Sequence, residues 1–439
     1  MTAMPRSVST RAGAVRRCLV AGFPALFFAG SALSLVQPAS SASAAGVITL
    51  YAYAGRGAIG PTTCPRTTTG PRECTLAEAL SKSVAGSTIA LATPGRKGHY
   101  VGNWTVSTLA FSPSAPVTIE PALGVADPTL DGNHGKPTGC QTKICDGPVL
   151  TIASGVHVDI DGITIQDADN AGHGGAIDNP GGGTVIVSAS TFYGNTAGDG
   201  GAIDNGDKGG GVLTVSASMF SHNTATSDGG AIDNGDRGSG AVTVSASTFS
   251  GNTATSDGGA IDNADRGSAG LTISGSTFWG NRATDGGAID NADRGGAGLA
   301  ISASTFSSNT ATSDGGAIDN ADHAGTSTVW VAADIFNGSC DRPAGTWNDE
   351  GYDVGINETC LNAGSGDVGQ DANQLGPLAN NGGPTKTMLA LRGNPALGII
   401  PLGTTVTLNG KAVTLCPTVD QRGVKSPSGQ HCNAGAVQP

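Results

Sequence analysis

Five times in the middle of the chain two aspartates recur three residues apart in the phrase Ile-Asp-Asn-Gly/Ala-Asp. They are Asp204 and Asp207, Asp233 and Asp236, Asp262 and Asp265, Asp290 and Asp293, and Asp319 and Asp322. Carboxylates grouped in this way suit calcium, which prefers oxygen ligands. They also suit acid–base cleavage of a polysaccharide. Stacked about 5 Å apart they repel by roughly 1 to 3 kcal/mol per pair at effective dielectrics of roughly 20 to 80, so something must offset them. Lys208, Arg237, Arg266, Arg294 and His323 follow the second aspartate of each unit. The reading adopted is a solvated, self-neutralising ladder whose aspartates also serve turns. Ca²⁺ held between rungs is the alternative, and Asp167-Ala-Asp169-Asn170 offers a further, incomplete calcium loop. Catalysis needs a constellation built once, whereas these acids repeat almost unchanged. The non-repeating His173, His222, Trp279, Trp330 and Trp347 form no recognisable set. No catalytic residue or cofactor is therefore assigned, and a polysaccharide lyase or hydrolase is the second functional reading.

What positions the aspartates is a repeat. The Asp of Ile-Asp-Asn falls at Asp178, Asp204, Asp233, Asp262, Asp290 and Asp319. Phe192, Phe220, Phe249, Phe278 and Phe306 form a second series, each followed three residues later by Asn195, Asn223, Asn252, Asn281 and Asn309. The aspartates are 26, 29, 29, 28 and 29 residues apart, and a period of this size marks a solenoid with coils of about 28–29 residues. Val242-Thr243-Val244 alternates and is β-branched, and Gly and Asn/Asp clusters separate it from two more strand-like pieces. No segment has the length and period of a helical repeat. The expected fold is all-β: a single-stranded right-handed parallel β-helix with three short strands per coil, its hand set by the rule for parallel connections. Ile203, Ile232, Ile261, Ile289 and Ile318 are expected to stack as one buried column and the phenylalanines as another. Stacked asparagine amides can bond along the axis and satisfy turn backbone groups.

Phe249-Ser-Gly-Asn252 and Gly258-Gly259-Ala260-Ile261, with their counterparts in residues 170–322, resemble the F-x-x-N and G-G-A-I repeats of the polymorphic outer-membrane protein family. Cys74-Thr-Leu-Ala-Glu-Ala-Leu80 resembles the C-S-L-R-E-A-I motif of related bacterial surface β-helix proteins. Gly86-Ser-Thr-Ile-Ala-Leu91 follows as the first strand. Asn381-Gly-Gly-Pro-Thr-Lys-Thr387, Asp420-Gln-Arg-Gly423 and Cys432-Asn-Ala-Gly-Ala436 resemble the choice-of-anchor Q region. The resemblance implies a secreted or surface-displayed passenger, adhesin-like in some members, with a surface glycan or protein as ligand. No series of amphipathic membrane strands is visible, so a built-in barrel anchor is not expected.

Composition narrows the fold and the partners, and the N-terminus and cysteine usage point to export. Glycine supplies 70 of 439 residues, and charged residues only 13%, which excludes a helical bundle or coiled coil. The net charge is −12. An acidic chain repels phosphate backbones, so nucleic acid is not expected as a partner. Arg6 to Arg17 form a basic segment, Cys18 to Val36 an apolar run, and Ala42-Ser43-Ala44 a small-residue cleavage site. Residues 1–44 therefore read as a cleavable signal peptide. No later apolar run is long enough to span a bilayer as a helix. Cys64, Cys74, Cys140, Cys145, Cys340, Cys360, Cys416 and Cys432 then remain. They come as four close pairs outside the repeats, and an oxidising compartment favours disulfides between sequence neighbours.

The expected organisation is a cap with irregular first coils over 45–169, regular repeats over 170–339 and a disulfide-containing closing region over 340–439, in a monomer. Residues 72–84 are expected to form a helix capping the open N-terminal edge. Thr224-Ala-Thr226, Thr253-Ala-Thr255 and Thr310-Ala-Thr312 give a minor third reading, a flat ice-binding face, in which Arg282 interrupts the threonine column.

Overall fold

The computed structural model describes residues 48–54, 74–93, 99–107, 115–136, 146–206, 209–235, 238–263, 267–291, 296–320, 326–342, 345–355, 359–369, 374–426, 429 and 431–438. They form a parallel β-solenoid. Three long sheets of 11, 10 and 9 strands run along it, and each coil between the two ends gives one strand to each sheet. A representative coil contains Ala241–Ser245, Thr248–Ser250 and Ile261–Asp262. The fold and its three-strand coil are those the repeat predicts.

The register is held by columns of identical residues. Ile177, Ile203, Ile232, Ile261, Ile289 and Ile318 pair in sequence. Phe192, Phe220, Phe249, Phe278, Phe306 and Phe336 do the same and are wholly buried. The first five rings stack nearly parallel, with centroids 4.6 to 4.9 Å apart. Strand spacing imposes that distance. Phe336 extends the stack at 5.3 Å and a 22° tilt.

Three corners fix the path. At the first, Ala189, Ala217, Ala246, Gly275 and Ala303 all adopt positive φ, a conformation that disfavours alanine by about 1 to 2 kcal/mol. The serine after each one compensates. The backbone N–H groups of Ser190, Ser218, Ser247 and Ser276 donate to the hydroxyls of Ser218, Ser247, Ser276 and Ser304, one coil later. At the second corner the amide of Asn195 donates to Asn223 Oδ1, and the chain of amides continues through Asn252 and Asn281 to Asn309. At the third, Gly258 has φ +61°, and a Cβ on Gly259 would lie 2.2 Å from the Gly287 carbonyl oxygen. The glycine pair thus answers two demands: backbone conformation first, then close approach of the next coil.

Both ends differ from expectation in detail. The helix spans Leu76–Lys82, with a Thr75/Glu78 capping box, and buries Leu76, Ala79 and Leu80. The first strand is Thr49–Ala52, which precedes the helix and pairs in parallel with Thr88–Leu91. Thr88–Leu91, expected to open the fold, is therefore second. Residues 340–438 do more than close the far end. Thr346–Asp349 and Val354–Gly355 extend two sheets, and described residues between 385 and 436 return along the outside of the coils. Gln421 donates to the Ser247 carbonyl, Thr248 Oγ1 and Thr385 Oγ1, while Thr248 donates to the Lys386 carbonyl. Ser250, an outward strand position expected to meet solvent, is buried at 5% exposure, two residues beyond this docked contact.

That return changes which coil can be removed. Repeat arithmetic alone selects Asp228–Ser256, but this deletion takes away Ala246, Ser247 and Thr248, the seats of Thr385, Gln421 and Lys386. Deleting Asp199–Ser227, also one period of 29 residues, leaves those contacts in place. Because coils interact chiefly with their neighbours, the second variant is expected to fold with native β circular dichroism and the first to lose the docked C-terminal region to limited proteolysis. Equal resistance of the two would show that the return contacts contribute nothing.

Candidate functional site

The repeat aspartates line one face of the solenoid. Asp204, Asp233, Asp262, Asp290 and Asp319 follow the core isoleucines in register, so their side chains leave the core on the opposite face of the strand. They are not solvated: none exceeds 2% exposure. The correction has a visible cause. A second column, Asp199, Asp228, Asp257, Asp285 and Asp314, runs alongside, and consecutive members are bonded where Asp228 N–H meets Asp199, Asp257 N–H meets Asp228 and Asp314 N–H meets Asp285. Burial, reinforced by Asp204, Asp262, Asp199 and Asp228, pushes the Asp233 carboxyl well above the usual carboxylate range. At the N-terminal end His173 Nδ1 lies 3.1 Å from Asp199 and 3.4 Å from Asp204. Asp207, Asp236, Asp265, Asp293 and Asp322, with the five basic residues that follow them, lie outside the described residues. Among the described residues, the one group of three carboxylates close enough to share an ion lies elsewhere, at Asp349, Asp353 and Asp367.

The asparagine of the same Ile-Asp-Asn phrase forms a second amide ladder. Asn179, Asn205, Asn234, Asn263, Asn291 and Asn320 each pass a hydrogen bond to the next at 2.7 to 2.9 Å. The six asparagines are wholly buried. The sequence carried this signal as plainly as the Phe-x-x-Asn series.

A non-repeating constellation sits near the N-terminal coils. His99 Nδ1 is 2.5 Å from Asp131 Oδ2, and Gln166 Nε2 donates to both Asp131 and Asp167. His134 Nε2 is 3.6 Å from Asp167. Burial moves the Asp167 carboxyl upward, opposed by His134 and aided by Asp131. Asp167 belongs to the suggested calcium loop, but its partners are these side chains, while Asn170 turns its amide to the His173 and Gly174 carbonyls.

The other singled-out residues lie apart. His222 meets the edge of Tyr193, Trp279 is 38% exposed, Trp330 packs under the returning C-terminal region, and Arg342 covers Trp347. Thr196, Thr224, Thr253, Arg282 and Thr310 share one register column, with Arg282 between threonines. Cys340–Cys360 and Cys416–Cys432 are bonded as sequence neighbours. Cys74 is also disulfide-bonded, and Cys64, Cys140 and Cys145 lie outside the described residues. The three C-terminal motifs converge: Gln421 bonds Thr385 and the Ala436 carbonyl, and Arg422 pairs with Asp420 and the Gln438 carbonyl. Beside them is a cleft of ≈ 280 Å³ between the first corner of three coils and residues 413–421.

Residues 189–206, 218–235, 246–264 and 303–321 match the Chlamydia polymorphic membrane protein repeat. Each match starts at or beside the first corner and runs through Phe-x-x-Asn and Gly-Gly-Ala-Ile to the buried Asp-Asn. One match therefore traces most of one coil, and four coils match this repeat. No curated protein matches the chain. Among the described residues no helix is long and apolar enough to cross a membrane.

Proposed function

We propose that the chain is exported by its N-terminal signal and displayed outside the cell. There it acts as a non-catalytic, adhesin-like β-helix that binds a surface glycan or protein. The observation carrying this reading is the repeat match on four coils whose conspicuous acids recur instead of forming one site. Their burial gives them structural work, leaving the exposed strand positions and the cleft beside residues 413–421 as recognition surface. The converging 381–387, 420–423 and 432–436 motifs fit a choice-of-anchor Q region. The test is protease shaving of intact producing cells, followed by a glycan array with the mature chain. Surface cleavage and saturable binding of a defined glycan or protein are expected, and retention inside the cell would overturn the proposal.

A second reading, polysaccharide cleavage, draws on one observation: the single cluster of His99, Asp131, His134, Gln166 and Asp167. Two histidines and two carboxylates supply groups for acid–base work. Release of reducing or unsaturated ends from an acidic polysaccharide, abolished by Asp167→Asn, would establish it against the non-catalytic reading.

A further inference from the structure

The first-corner column changes chemistry at its C-terminal end. A side-chain oxygen at each corner accepts the backbone N–H of the corner residue one coil earlier, and a serine hydroxyl performs this at Ser190, Ser218, Ser247, Ser276 and Ser304. The next three corner residues are Asp334, Asp353 and Asp367, which follow Ala333, Tyr352 and Gly366, all at positive φ. Their Oδ1 atoms continue the same chain, accepting from Ser304, Asp334 and Asp353 at 2.7, 2.7 and 3.0 Å. The corner needs one oxygen, and a carboxylate brings two. Asp334 uses its second oxygen on the Ala332 N–H. Oδ2 of Asp353 is buried with no hydrogen-bond partner, and the whole Asp353 side chain is buried at 0% exposure. Oδ2 of Asp367 is also buried, and its carboxyl meets only another carboxyl, that of Asp349.

A third carboxylate meets them from the end of the Thr346–Asp349 strand. Asp349 is held by the N–H groups of Gly351 and Asn362 at 3.0 and 2.6 Å. One oxygen from each of Asp349, Asp353 and Asp367 lies within 4.8 Å of the other two. Two oxygens bound to one calcium ion at about 2.4 Å can be at most about 4.8 Å apart. No described basic side chain pairs with any of the three carboxylates. A buried carboxylate oxygen without a partner is costly unless a proton or a counter-charge meets it, and three carboxylates facing one point favour a cation over three separate protons.

We propose that Asp349, Asp353 and Asp367 bind a calcium ion that fastens the last coils to the segment 359–369. An oxygen set fixed by backbone donors suits calcium better than magnesium, which demands near-ideal octahedral geometry and keeps several waters. The proposal is independent of the binding function above and of the repeat aspartates.

The experiment is calorimetric titration of the chelator-treated mature chain with CaCl₂, and separately MgCl₂, with melting temperature followed in parallel. One saturable equivalent of calcium and a melting temperature that rises with occupancy are expected, with a weaker response to magnesium. Asp353→Ser restores the hydroxyl that serves five earlier corners, so it is expected to fold and to lose calcium binding. Asp233→Asn is expected to keep it. Absence of saturable calcium binding at millimolar concentration overturns the proposal, as does full binding by Asp353→Ser. If circular dichroism shows that Asp353→Ser does not fold, Asp367→Asn, at the last corner, decides in the same way.

Discussion

Phe249→Ala is expected to destabilise the protein by about 3 to 5 kcal/mol, the range for truncating a buried aromatic ring. The ring is wholly buried and stacks on Phe220 at 4.8 Å and on Phe278 at 4.9 Å. Its removal leaves a gap with a ring on either side. The neighbouring coils cannot close it, because Asn223, Asn252 and Asn281 hold their spacing beside it through an amide chain. Thr226, exposed in the next segment of an adjacent coil, provides the contrast: Thr226→Ala is expected to stay within about 0.5 kcal/mol. Ser250→Ala falls between, at about 1 kcal/mol, because the hydroxyl is buried and donates to Ser221 Oγ at 3.3 Å. Equilibrium denaturation orders the three variants. Native-state hydrogen exchange locates the loss, which is expected to concentrate in coils next to residue 249, as coupling in a solenoid is local. A loss below about 1 kcal/mol for Phe249→Ala would show that the column is not tightly packed.

The columns were readable because each residue in them returns once per coil. Phe249 and Asn252 sit at fixed phase, and one period turns spacing into contact. The same logic applies to Ser247 and Asn263, whose ladders are less conspicuous in the sequence. Serine after alanine is unremarkable in a strand-and-turn sequence, and Asn263 stands beside the more conspicuous charge of Asp262. Burial of Asp262 could not be inferred from period alone, since it depends on the parallel acid column and on how closely the turns approach. Thr248 illustrates a longer dependence: its partners, Lys386 and Gln421, return from more than 130 residues away. The steps from Asp334 to Asp353 and from Asp353 to Asp367 are 19 and 14 residues, shorter than the repeat. Their membership in the serine column therefore emerges only from backbone geometry. The cluster of His99, Asp131, Gln166 and Asp167 draws on coils without a repeat, so no spacing could announce it.

The buried acid ladder is expected to reverse the usual effect of pH on stability. Asp233 is raised well above its ordinary value, first by burial and then by Asp204, Asp262, Asp199 and Asp228. In the unfolded chain the same group titrates near about 3.9. Between that value and the folded one, the native state holds a proton that the unfolded state has released. Stability therefore falls as pH rises through this interval. The stabilising contribution is complete below about pH 4 and is lost as pH climbs through the folded value. A salt-bridged carboxylate with a lowered value behaves in the opposite sense. Burial raises the Asp334 carboxyl as well, so the measurement should compare variants as well as pH values. With chelator present, urea midpoints of the wild-type chain are expected to fall from about pH 4.5 to about pH 7. Asp233→Asn keeps the shape of the neutral carboxyl and removes the proton release, so its midpoint is expected to vary less over the same interval. A midpoint that rises with pH, or an Asp233→Asn slope equal to wild type, would mean that Asp233 is ionised in the native ladder and that a counter-charge, not a proton, neutralises it.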